Sequence, residues 1–169
     1  MSFDHGILEC LYTTMFVKVF IYPHIPSTFL NMTRVNLVPV GELSNQHAFS
    51  EWRELKMIPK ALARSLKTQS IDKILKKIPK EFTLNTGHVL FFYDKGAYLR
   101  KRYEQLTEEL ITRGYNFNRD AKFDPDDVMY SPDWNGDYKP DERAFAIIRE
   151  RIAEKIALRP NFYKWPTKN

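Results

Sequence analysis

MTRVNLVPVGELSNQHAFSEWREL, residues 32–55, passes from a short extended run, Val35 to Val40, into a helix, and the reading of the whole chain starts here. Ser44 or Asn45 can cap that helix. Ala48, Trp52, Leu55, Leu62 and Leu66 recur at i, i+4, i+7, i+14 and i+18, one core-facing stripe. Gln46, Ser50, Arg53 and Glu54 recur at i, i+4, i+7 and i+8 on a separate polar face. From spacing alone, Glu54 beside Arg53 reads as a solvated surface pair. Pro59 must kink or end the helix, because its ring removes a donor and clashes with the preceding turn; a second helical piece from Lys60 to about Thr68 would continue the stripe.

Outward from this stretch, the chain alternates apolar helical patterns with loops. Residues 71–80 hold Lys73, Lys76, Lys77 and Lys80, either a solvated basic segment or a phosphate contact. Periodicity in Gly87 to Tyr93 allows a buried strand. Asp94 can cap a helix whose Leu99, Tyr103, Leu106 and Leu110 face the core and which Gly114 ends. Arg100, Lys101 and Arg102 occupy its first half, the wrong end for the helix dipole, and suggest solvent or phosphate contact. Tyr115 to Lys139 reads as a turn-rich surface loop, since its Asp residues fit no calcium-loop spacing. Pro140 suits the first turn of a last helix, with Phe145, Ile148, Ile152 and Ile156 inward and Arg151, Lys155 and Arg159 as a basic stripe. The tail interleaves Phe162, Tyr163 and Trp165 with Lys164 and Lys168, a composition suited to a DNA groove.

Composition sets bounds. At 169 residues, one domain is expected, with enough chain to bury its own core. A net charge of +5 makes a polyanion a reasonable partner, without separating nucleic acid from an anionic membrane. The single Cys10 excludes a disulfide framework and a Cys-rich zinc site. Ile7 to Tyr22 is too short and too polar to span a membrane, and leading residues that carry Asp4 and His5 rather than Lys or Arg make a secretory signal unexpected. No phosphate-binding glycine loop, His/Cys cluster or Ser-His-Asp set is present.

Several collinear motifs carry a resemblance: Thr33, Arg34 and Asn36; Gln46 and His47; Arg53 and Glu54; GHVLFFYDK (Gly87 to Lys95); LRKR (Leu99 to Arg102); RGYN (Arg113 to Asn116); EKIALRP (Glu154 to Pro160); and FYKW (Phe162 to Trp165). Together they resemble the pyrimidine-dimer DNA glycosylases of phages and algal viruses, the endonuclease V type, over essentially everything from Met32 onward. The resemblance implies an all-α single domain of three main helices with long irregular loops and its N-terminal segment packed between helices. It replaces the strand reading of Gly87 to Tyr93 by an irregular segment leading into a helix. The expected organisation is an extension outside the family over residues 1–31 and a glycosylase-like domain over 32–169.

For chemistry, the resemblance implies that the nucleophile is the α-amine of Thr33. Such an amine, with a pKa near 7.8, is about 10–15% unprotonated at pH 7, against well under ~0.1% for an ordinary Lys. Positive neighbours, Arg34 and Arg53, would depress it further. Glu54 is the implied second catalytic residue, stabilising the cationic sugar and assisting proton removal. Arg34, Gln46, Arg53, His88, Arg151, Lys155, Arg159, Tyr163, Lys164 and Trp165 are the implied DNA contacts. His47 and His88 are each more often packed or hydrogen-bonding than catalytic. No cofactor and no metal is implied. The expected partner is double-stranded DNA containing pyrimidine dimers, with no membrane association, a monomeric state, and a cytoplasmic setting in a prokaryote or virus-infected cell. Two departures matter. Lys56, Met57 and Ile58 stand where the family carries a further Arg, so that grip weakens or moves to Lys60. Residues 1–31 would hold the Thr33 nitrogen in an amide, which cannot form an imine, so a start at Met32 or processing is expected. The alternatives are a DNA-binding protein of the same fold with its chemistry blocked, and an abasic-site lyase using a Lys such as Lys155.

Overall fold

The computed structural model describes residues 35–166. Six α-helices follow in order: α1 (Asn45–Leu55), α2 (Met57–Leu66), α3 (Ile71–Leu75), α4 (His88–Phe91), α5 (Gly96–Thr112) and α6 (Glu142–Leu158). Short 3-10 turns occupy Val40–Glu42 and Val128–Tyr130. Among the described residues no sheet forms, one isolated antiparallel bridge joins Lys95 to Asn135, and no helix is long and apolar enough to cross a membrane. The expected all-α domain is therefore observed, with the bent α1–α2 pair, α5 and α6 as its three main bodies.

The apolar stripe of the opening stretch is the core. Ala48, Trp52, Leu55 and Leu62 are buried in one core with Leu99, Tyr103, Leu106 and Leu110 of α5. The helix breaks one turn before Pro59, at Lys56, rather than after it. The reason is the proline's backward reach: its ring displaces the carbonyl four residues earlier, that of Leu55, the last residue of α1. Two further local expectations are corrected. Asp94 does not cap α5; its carbonyl accepts from Gly136 N–H at 3.0 Å and its carboxylate pairs with Lys95 at 2.6 Å. Pro140 precedes the first turn of α6, and Asp141 supplies the cap, accepting from Ala144 N–H at 2.7 Å.

The N-terminal segment is extended, with Val35, Leu37 and Val38 buried. An extended chain with no strand beside it must still satisfy its backbone. Here two arginines eleven residues apart on one side of α5 do so. The Arg102 guanidinium donates to the carbonyls of Asn36 and Val38. Arg113 donates to the carbonyls of Val40 and Leu43 at 3.1 and 2.8 Å. Carbonyls 36 and 38 alternate, as one edge of an extended chain requires, and Val40 then opens the 3-10 turn. Thus Arg102 is a buried structural donor, which corrects its reading as a solvent or phosphate contact. Its neighbours are likewise engaged with the protein. Arg100 donates to Met129 carbonyl and Asn135 and lies over Tyr130, while Lys101 pairs with Asp137 at 2.6 Å.

Loop 115–139 docks on the start of α5. Asp124 accepts from Met129 N–H at 2.7 Å, and Gly96 N–H donates to Trp134 carbonyl at 2.7 Å. A Cβ on Gly96 would stand 2.4 Å from the Met129 carbonyl oxygen, so only glycine admits this approach.

Candidate active site

The polar face of α1, the basic stripe of α6 and the returning tail meet in one place. Ser44 caps α1, its Oγ accepting from His47 N–H at 3.2 Å and lying 2.9 Å from His47 Nδ1. The direction of the Ser44 Oγ–His47 Nδ1 bond follows the tautomer of the imidazole, since a hydroxyl can both donate one bond and accept two. His47 is 6% exposed, and its Nε2 has no hydrogen-bond partner among the described residues. The Tyr163 ring stacks on it at 4.4 Å and 10°. Beside this stack, Gln46 Oε1 accepts from Lys164 N–H at 2.8 Å, and Asn45 N–H donates to Lys164 carbonyl at 2.7 Å. The tail is thus tied to the first turn of α1, with Phe162 and Trp165 about half exposed at 49% and 48%.

Lys155 joins the cluster from α6. Burial and the neighbouring Arg151 lower the pKa of its ammonium, while the Glu54 carboxylate acts in the opposite direction. Lys155 in turn acts on His47, whose pKa falls to about 4, first through burial and then through that positive charge. Glu54, half-buried on the next turns of α1, is therefore within electrostatic reach of the Lys155 ammonium. Arg151 also bonds Glu154 at 3.0 Å. Arg53 is exposed at the edge and lies 6.0 Å over Phe49. Arg159 is exposed and covers Phe162 at 5.8 Å. Lys56 sits 3.8 Å over the Trp52 ring, so it packs inward, whereas Lys60 is exposed.

Of the residues expected from sequence, the structure brings Gln46, Glu54, Lys155, Tyr163 and Lys164 together, with Arg53, Arg151, Arg159 and Trp165 around them. Thr33 and Arg34 lie outside the described residues. His88 is not brought to this site: it is 1% exposed, between Phe82 and Phe92, with Nδ1 3.0 Å from Thr83 carbonyl. It is a packed, hydrogen-bonding histidine in this structure. An open depression lined by Ser65, Gln69, Lys77, Gly87, Leu90 and Tyr93 shares no residue with the cluster.

Sequence reading missed Glu51 as a participant. It is 1% exposed and receives Arg102 Nε at 2.8 Å, Arg102 Nη2 at 3.1 Å and Asn36 Nδ2 at 2.9 Å. The signal was present: Glu51 falls three residues after Ala48 and four before Leu55, and Arg102 falls three after Leu99 and four before Leu106. A charge on an apolar stripe needs a buried partner, and two opposite ones on facing helices supply it.

His47 gives a pH prediction. Its folded pKa is depressed, so between about pH 6.5 and 4 the unfolded chain binds the extra proton, and stability falls as pH drops through that window. Denaturation midpoints at pH 7 and pH 5 should differ by about 1–2 kcal/mol, and His47→Gln should flatten the difference. An unchanged pH response in that variant would assign the effect elsewhere.

The family model described as pyrimidine dimer DNA glycosylase matches residues 32–123, from the N-terminal segment through α5 into the following loop. That is more than half of the chain, and it includes α1 with Gln46 and Glu54, though not α6 or the tail. The chain belongs to the pyrimidine dimer DNA glycosylase family.

Proposed function

We propose that this protein removes a base at pyrimidine dimers in duplex DNA and then cuts the strand as an abasic-site lyase, through an imine on the α-amine of Thr33. The observation that supports this reading is the setting of Glu54. It is half-buried on α1, near the Lys155 ammonium, on the helix to which Asn36 of the N-terminal segment is bonded. In the proposed reaction the unprotonated amine attacks C1′ and the glycosidic bond breaks. The base leaves with its electron pair and takes up a proton. Loss of one amine proton and cleavage of the C1′–O4′ bond, whose oxygen takes up a proton, give the imine in its protonated, cationic form. Glu54 stabilises its positive charge and assists removal of the C2′ proton, and the 3′ phosphate then departs by β-elimination. Arg34, Arg53, Arg151, Lys155 and Arg159 hold the phosphates, Gln46 contacts the strand, and Tyr163, Lys164 and Trp165 line its path. A damaged pair costs less to open, which lets a small protein extrude a nucleotide.

The chemistry requires a free amine on Thr33, supplied by initiation at Met32 with removal of that Met, or by processing. Borohydride trapping on a dimer-containing duplex tests it, because hydride delivery to the imine carbon leaves a permanent protein–DNA amine. The form beginning at Met32 is expected to trap and the 169-residue form is not. Binding by both forms with trapping by neither would reduce the protein to a DNA-binding module. Trapping by the intact 169-residue form, in which the Thr33 nitrogen is an amide, would move the nucleophile to a Lys.

A further inference from the structure

The buried Asn36–Glu51–Arg102 network stands apart from the groups assigned to the chemistry, yet it joins the two chain segments that carry them. We propose that Asn36, Glu51 and Arg102 are positioning residues that hold the reactive end of the chain in register with Glu54; this rests on the imine reading given above.

Residue 36 is held twice. Its side-chain amide donates to Glu51 Oε2 at 2.9 Å, and its carbonyl accepts from Arg102, which itself grips the Glu51 carboxylate through Nε and Nη2. Arg102 Nη1 also donates to Val38 carbonyl at 2.7 Å, so the segment cannot slide along α5 without breaking a charged bond. Burial of the Arg102 guanidinium works against its charge, and the adjacent Glu51 carboxylate outweighs that and holds the guanidinium ionised. The network thus fixes one point on the N-terminal segment against one point on α1.

Both points lie one step from the proposed reacting groups. Glu54 follows Glu51 by three residues, about 4.5 Å along the helix axis and on an adjoining face. Thr33 precedes Asn36 by three residues, a reach of at most about 10 Å. An amine placed by a free chain end would sample that whole sphere, whereas attack on C1′ needs approach to about 3–3.5 Å in a defined direction. Apolar burial of Val35 and Leu37 is non-directional and tolerates a shift in register; three mutually bonded polar groups do not.

The test uses the full chain, folded first, with a site-specific protease sequence ahead of Thr33 that is then cut to expose its amine. Asn36→Ala is the primary variant and Glu51→Gln, which keeps the shape of the acceptor, is the second. Single-turnover trapping on a preformed abasic-site duplex is measured at saturating protein from pH 6 to 9, alongside duplex affinity and the folded fraction. For Asn36→Ala the saturated trapping rate should fall at least about tenfold with affinity within about twofold, since misplacement by about 1 Å is enough for such a loss. The midpoint of its pH profile should also rise toward the ordinary α-amine value near 7.8 as the amine leaves its cationic surroundings. A parental saturated rate in Asn36→Ala overturns the proposal. So does a loss that merely follows affinity or folded fraction in both variants, because that is a stability role only. If the cut parent binds the duplex and does not trap, the imine reading fails and this inference falls with it.

Discussion

Glu54→Gln is expected to slow strand cleavage on a dimer-containing duplex by about 10²–10³-fold, the usual loss when a carboxylate that stabilises developing positive charge or moves a proton is neutralised. The substitution keeps size and hydrogen-bonding atoms, and Glu54 lies on the polar face of α1 away from the buried stripe, so unfolding midpoints should move by less than about 1 kcal/mol. Removing an anion from a basic surface should leave duplex affinity equal or tighter. Lys155 loses a negative charge that favours its protonated form, so its pKa should fall further. The decisive comparison is single-turnover cleavage against binding in the same salt. Cleavage near the parental rate would remove Glu54 from the chemistry and return it to a surface ion pair.

Glu51→Ala should cost about 3–5 kcal/mol of stability, because it strands a buried guanidinium without its counter-charge. Arg102 is 3% exposed and holds two backbone carbonyls, so it cannot turn outward without abandoning them. Urea denaturation of the variant should show a lower midpoint with an unchanged slope. Adding Arg102→Met removes the orphaned charge and recovers part of the loss. It also leaves the carbonyls of Asn36 and Val38 buried without donors, so the pair of substitutions should remain about 1–3 kcal/mol below the parent. Full recovery would show that these carbonyls find other partners, and that Arg102 serves Glu51 alone.

How much of this was legible in the chain follows from what each residue's pattern depends on. The stripes of α1, α5 and α6 were readable because apolar side chains repeat with the helical period, whatever they pack against. The polar cluster was readable as a set of residues, through Gln46, Glu54, Lys155 and the FYKW tail. Their convergence depends on how α6 and the tail return to α1, which no local pattern encodes. Lys56 escaped notice as the break point because Pro59 acts on a carbonyl four residues behind it. Asp94 looked like a cap, yet its carbonyl was required by Gly136. Arg102 was misread because three consecutive basic residues suggest one shared role, whereas a helix turns each by about 100° into a different environment. His88 was equally ambiguous: an imidazole edge satisfied by the Thr83 carbonyl is as much at home among phenylalanines as at a surface.

The hold that α5 has on the N-terminal segment also bears on the order in which the protein can assemble during synthesis. The carbonyls of Asn36, Val38, Val40 and Leu43 find their arginine donors at sequence separations of 66, 64, 73 and 70 residues. On the ribosome this segment emerges well before any of them, and at about 5–20 residues per second it waits several seconds for α5. Over that interval α1 and α2 can form from their own local contacts, but the segment's backbone stays hydrated and its valines uncovered. The stretch from which the chemistry is proposed to start is therefore made early and secured only once α5 has followed it.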